Sequence, residues 1–162
     1  MIFTALIIAG SALFTSFLGY WTHRLFHNPI CGPLYQAHMD HHTVQYPPGN
    51  LTSDVYRSSG KNNSAFIFTL AFSPIMLMVI ASHFLIGISI WTCACVLASM
   101  IVTGLLHDYI HDGFHLNKSI WQRLPFFSRW QELHNIHHVN MSKNYGIFSL
   151  AFDKVFKTYQ SK

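Results

Sequence analysis

Apolar residues in this chain come in long unbroken blocks, not in the short stripes of a soluble helix or strand. Residues 1–20 carry no charged side chain, and neither does the 43-residue stretch 64–106. A bilayer core of ~30 Å takes about 20 helical residues to cross. The first block therefore predicts one span, over 2–20. The second is too long for one and predicts two, over 65–81 and 85–106, with a break near Ser82 and His83. Pro74 falls inside the second span and predicts a kink, because proline removes a backbone donor. Polar segments follow the first span and the third. Tyr46, Pro47, Pro48, Gly49 and Asn50, then the polar run 58–64, read as an irregular loop returning the chain to the membrane. Segment 117–133 alternates bulky aromatic and basic residues around Pro125 and reads as lying along the interface. The architecture expected is all-α: a single domain over 1–162, a membrane helical bundle of about three spans under a His-rich cap.

Composition supports a chain that lives partly in lipid. It is 51% hydrophobic and only 10% charged, where a soluble domain carries about 25% charged residues. All ten Lys and Arg (Arg24, Arg57, Lys61, Lys118, Arg123, Arg129, Lys143, Lys154, Lys157 and Lys162) lie outside the three spans and the turn at 82–84. Three spans put both basic segments on one side, and the positive-inside rule makes that side cytoplasmic. The net charge of +4 then reflects topology and contact with anionic headgroups. No basic stripe or stacking motif points to nucleic acid. A signal peptide is the other reading of the first block. No Lys or Arg precedes the apolar run, and the run passes the Gly10-Ser11-Ala12 triplet to an interfacial Tyr20-Trp21 pair, so a retained anchor is expected. Cys31, Cys93 and Cys95 form no CxxC and read as small apolar fillers.

Chemistry enters with histidine. Eleven of the twelve histidines fall in two clusters, and His83 stands apart as a turn residue. The first cluster is His23 and His27, then His38, His41 and His42. The second is His107, His111 and His115, then His134, His137 and His138. Each cluster holds an HxxxH followed by an HxxHH, an echo of duplication or a shared chemical demand. Residues three and four apart share a helix face, so each motif brings its imidazoles together. Neutral imidazole is a good ligand for Fe, Zn, Cu and Ni. Some ten nitrogens are too many for one ion and suit two, at five or six ligands each. A haem held by two histidines would need them inside facing spans; these lie just beyond the apolar runs. A disordered histidine tract would be repetitive, whereas these spacings are fixed and helical. Zinc, in a hydrolase or a structural site, remains open on ligand type alone. No HExxH accompanies the clusters, and Glu132 is the single glutamate.

His-Arg-Leu-Phe-His, His-Met-Asp-His-His, His-Asp-Gly-Phe-His and His-Asn-Ile-His-His, in this order around a membrane hairpin, resemble the fatty acid hydroxylase and sterol desaturase superfamily. His111-Asp112-Gly113 looks like the HDG of C-5 sterol desaturases and β-carotene hydroxylases. Asn144-Tyr145-Gly146 with Asp153 looks like the NYG and following Trp-Asp of sterol desaturases and fatty acid 2-hydroxylases, with Phe152 in place of the Trp. The resemblance covers about 20–160. It implies a membrane bundle with a cytosolic cap, two iron ions (with zinc the competing metal), and use of O2 with two electrons from an external donor, a ferredoxin or a cytochrome b5-like protein. The implied reaction hydroxylates or desaturates a lipid: a fatty acyl chain, a sterol or a carotenoid. The family uses about ten histidines. The HDG match assigns His111 and His115 as ligands and leaves His107 as an alternative or second-layer residue. Asp40, Asp108, Asp112, Asn144 and Asp153 are candidates to support the imidazoles from behind. A catalytically inactive lipid-binding member is the remaining alternative.

Overall fold

The structure, a computed structural model, describes residues 2–57 and 67–161. Lys61, Lys162, the polar run at 58–64 and the start of the expected second span lie outside the described residues. Every regular element described is helical. The sole extended pairing among the described residues is an isolated bridge between Ser53 and Leu116.

Helix α1 runs Ile2–Phe26 and α5 runs Ile90–Phe114, each 25 residues, or about 37 Å at 1.5 Å per residue. Each exceeds the ~30 Å of a bilayer core. Only 17% of the most apolar stretch of α1, and 33% of that of α5, is buried inside the protein. A core helix of a soluble protein would bury most of that surface; here Phe3, Leu6, Leu13, Ile90, Trp91 and Val102 face outward. The middle pass is broken. Helix α3 (Ile67–Ala71) stops at Phe72, and α4 (Ser73–Ile86) restarts with Pro74 in its first turn. The kink expected from Pro74 is thus a full break, and proline sits where its missing N–H is tolerated. Helix α4 alone is 14 residues, about 21 Å. Among the described residues two helices are long enough to span unaided, and the expected second span corresponds to the broken α3–α4 leg.

The turn between the passes lies later than the polar pair suggests. Helix α4 continues through Ser82 and His83 and ends where Gly87 adopts φ 71°, a left-handed cap open to glycine. Ser89 then caps α5 by accepting from the Thr92 N–H. His83 serves this turn from within the helix, its Nδ1 lying 2.7 Å from the Ile88 carbonyl oxygen. Polar residues near a turn fix its neighbourhood; the positive φ fixes the bend.

Helices α1 and α5 lie side by side and run in the same direction. Ser99 donates to the Ile8 carbonyl at 3.0 Å. Eleven residues further along α1, Gly19 meets His107. A Cβ at Gly19 would lie 2.5 Å from His107 Nε2, so the close approach needs glycine here. The remaining elements, α2 (Pro33–Asp40), α6 (Phe127–Val139) and α7 (Ala151–Val155), gather over the end where α1 and α5 finish. An aromatic core of Phe26, Phe68, Phe72, Phe114 and Phe127 with Met100, Ile110 and Ile147 joins α1, α3, α5 and α6 beneath them.

Candidate metal centre

The last turns of α1 and α5, the end of α2 and the middle of α6 deliver the histidines to one buried volume. They form two adjacent groups. His23, His27, His38, His42 and His137 make one; His41, His115, His134 and His138 make the other. Within each group the ligand nitrogens all lie within 4.8 Å of one another. His111 sits against the second group, its ring centroid 4.8 Å from His41 and 4.9 Å from His134.

The HxxHH motifs do not serve one group each. In the first, His38 and His42 join the α1 pair while His41 crosses to the other group. In the second, His134 and His138 stay with His115 while His137 crosses back. The i and i+4 side chains share a face, and i+3 lies about 60° away on a wheel of 100° per residue. Each motif therefore straddles two sites and exchanges one imidazole with its counterpart. At His41 the α2 helix widens into a π-helical turn, His41–Gln45, in which the Tyr46 N–H donates to the His41 carbonyl. Such turns are frequent at functional sites.

Backbone carbonyls orient the rings. Nδ1 of His23 lies 2.6 Å from the Tyr145 carbonyl oxygen, that of His137 2.6 Å from Lys143, that of His138 2.9 Å from Tyr46, and that of His115 2.9 Å from Leu51. A carbonyl only accepts, so each Nδ1 carries the proton and each Nε2 presents a lone pair. His115 and His138 thus both aim lone pairs at His134 Nε2, at 3.0 and 3.2 Å, and one nitrogen has at most one proton for them. The Nε2 atoms of His23, His41 and His111 are buried with no hydrogen-bond partner. Nε2 atoms of His27 and His137 approach to 3.1 Å, and of His38 and His27 to 3.0 Å. Converging, desolvated lone pairs are what a cation satisfies, so the donor set fits two metal ions.

Burial keeps these imidazoles neutral. Desolvation, reinforced by neighbouring imidazoles, pushes His38, His41, His42, His115, His134 and His137 well below the ordinary value of 6.5. Burial lowers His27 to about 4 and His138 to about 3. Metal ligation needs the same unprotonated form.

His107 joins neither group. Its Nδ1 lies 2.9 Å from the Thr103 carbonyl of its own helix, and its ring stacks on Phe148 at 5.8 Å.

Of the carboxylates, Asp108 and Asp40 do other work than the one expected. Asp108 accepts from the N–H groups of Phe68 and Thr69 and from the Thr69 hydroxyl, so it anchors the first turn of α3 to α5. Asp40 accepts from the Gln36 side chain at 3.5 Å, away from the histidine groups. Asp112 lies 3.6 Å from His111 Nδ1, too far for a good hydrogen bond. Asp153 accepts from the N–H groups of Tyr145 and Gly146 and from the Thr158 hydroxyl. It holds the turn whose Tyr145 carbonyl orients His23, one step behind the ring. Asn144, at φ 53°, donates to the Leu133 and Gln160 carbonyls and accepts from the Gln160 N–H; it ties this turn to α6 and the C-terminal segment.

Sequence reasoning missed the loop after the first HxxHH. Tyr46 and Leu51 supply carbonyls to His138 and His115, and the Tyr46 ring stacks on His115 at 4.0 Å. Arg57 ties this loop together. Its guanidinium donates to the carbonyls of Gln45, Asn50 and Thr52 and to the Asn50 side chain, and its N–H donates to the Tyr46 hydroxyl. Ser53 adds backbone bonds to His115 and Asn117. An arginine ending a Pro/Gly/Asn loop beside ligands was the available signal.

Membrane-length apolar helices that end in a buried double cage of histidines define a class: all-helical membrane proteins whose clustered histidines could hold metal. The chain belongs to the fatty acid hydroxylase family, whose model it matches over residues 8–158. It is also 23% identical, over 153 residues, to a protein named very-long-chain aldehyde decarbonylase GL1-7 from Oryza sativa subsp. japonica. That alignment takes in 90% of this chain but 22% of the rice protein's length. No solved structure matches.

Proposed function

We propose that this protein is a lipid oxygenase whose two histidine groups each hold an iron ion at the cytoplasmic face of the membrane. The observation that carries the reading is the pair of adjacent cages, each with a buried Nε2 that finds no hydrogen-bond partner among the described residues, His23 in one and His41 in the other. Two irons bound there would supply the reduction of O2 and the oxidising power to attack an unactivated C–H bond. Hydroxylation consumes one O2, two electrons and two protons, and returns the hydroxylated lipid and one water. Where a second hydrogen is removed in place of oxygen transfer, the same O2, two electrons and two protons give the alkene and two waters.

The chain's own residues prepare that chemistry. The carbonyls of Tyr46, Leu51, Lys143 and Tyr145 hold the imidazole planes. The rings of Phe68, Phe114, Tyr46 and Tyr145 line the cages and exclude water. No nicotinamide, flavin or haem motif is visible in the sequence, so electrons come from a separate ferredoxin or cytochrome b5-like donor. A fatty aldehyde is the second reading of the substrate, favoured by the name of the rice relative.

The test is the purified chain in lipid nanodiscs. Elemental analysis should find two irons per chain, and O2 uptake with a reductant should yield oxidised lipid. His41→Ala should lower both metal content and turnover. Stable zinc with no O2 uptake would instead make it a zinc protein. Lipid binding without O2 uptake by the iron-loaded protein would make it an inactive member.

A further inference from the structure

We propose that the seam between α1 and α5 is the acyl-chain site, and that Phe148 and His107 close its metal-side end and select which lipids pass. This rests on the oxygenase reading for the reacting end of the lipid, but not for the seam itself.

The two helices touch tightly at Gly19–His107 and are pinned at Ser99–Ile8. Beside these contacts lies a cavity of about 610 Å³. Small side chains make it: Ala12 from α1, and Ala94, Ala98 and Ser99 from α5. The α5 residues along it, from Trp91 to Leu106, recur at helical spacing, so the hollow follows one face of α5 for about 22 Å. The cavity lies along the stretches that cross the bilayer, where the surrounding medium is acyl chain and no water competes. A narrow, apolar, chain-length hollow in that medium takes a single acyl chain.

Its two ends differ. Trp91 stands at the end remote from the histidines. Phe148 forms the inner wall, stacked on the buried His107 ring. His107 is one turn before His111, whose Nε2 is buried without a partner beside the second histidine group. A chain lying in the seam therefore points at the cage and stops at Phe148. Passage depends on the Phe148 ring turning aside, which gives a role to His107, a clustered histidine that joins neither cage.

The test uses the full chain in nanodiscs, stripped of metal, with palmitic acid carrying a terminal diazirine. After illumination, peptide mapping should find labels concentrated on the seam faces of α1 and α5, several-fold above the outward face of α4 at Leu77 and Phe84. Unlabelled palmitic acid should compete this excess away saturably. Ala98→Trp should remove the excess while the protein still loads metal, and Phe148→Ala should move labels toward His107. Even labelling of all lipid-facing surfaces, excess labelling that ignores Ala98→Trp, or a dimer that shields the seam in both copies would overturn the proposal. If Ala98→Trp does not fold, the competition result decides. Seam labelling without iron-dependent O2 uptake would sink the oxygenase reading and leave the seam standing; the reverse would sink the seam alone.

Discussion

At the scale of single residues, the centre depends on groups that are not ligands. Arg57 bridges four acceptors of the loop that orients His115 and His138. Removing such outer supports typically lowers metal affinity about 10–100-fold. Arg57→Ala should therefore weaken retention of one metal ion more than the other, because its loop reaches the His41–His115–His134–His138 group alone through its carbonyls. Stepwise chelator competition measures this; equal loss of both ions would refute it. The sequence carries no direct sign of these supports, since a backbone carbonyl leaves no letter in it. Asp40 looked like a support because it adjoins histidines in the chain. Adjacent helical residues point about 100° apart, so its carboxylate turns to Gln36, while Asp112 stays 3.6 Å from His111 Nδ1.

At the scale of elements, HxxxH and HxxHH were legible because helical spacing fixes which side chains share a face. The division of labour within HxxHH was not. It depends on a helix sitting between two cages, and that placement comes from packing. The position of the hairpin turn was hidden for a similar reason: Ser82 and His83 announce a turn that Gly87 makes. The α1–α5 crossing gives a test of packing. Gly19→Ala places a methyl where His107 Nε2 stands, and overpacking of this kind destabilises by about 1–3 kcal/mol. Thermal unfolding in detergent should show that loss, and His107→Ala in the same chain should recover part of it. Additive losses in the double variant would mean the two residues do not meet.

At the scale of the whole molecule, stability and metal content should fall together in acid. Burial pushes His38, His41, His42, His115, His134 and His137 well below 6.5 when folded, with His27 at about 4 and His138 at about 3. In the unfolded chain they take protons at about 6.5. Between those values the unfolded state binds more protons, so folding free energy is lost as pH falls. The contribution is complete above pH ~6.5 and declines from there toward about 3. Protons also compete with metal for the same nitrogens. Metal released into the filtrate should rise steeply below pH ~6.5, alongside loss of helical circular dichroism. Release that ignores pH across this window would show that the imidazoles do not carry the site.

The exchange of His41 and His137 between the cages also sets an order of events. During synthesis the first four ligands, His23, His27, His38 and His42, emerge about a hundred residues before His137 completes their set. The second set in turn joins His41 from the early half to His115, His134 and His138 from the late half. Neither half of the chain completes a group with its own histidines, so a metal ion held by either full group would report that both halves have docked. The centre would then act as a latch on assembly, closing only on a chain whose two halves have met.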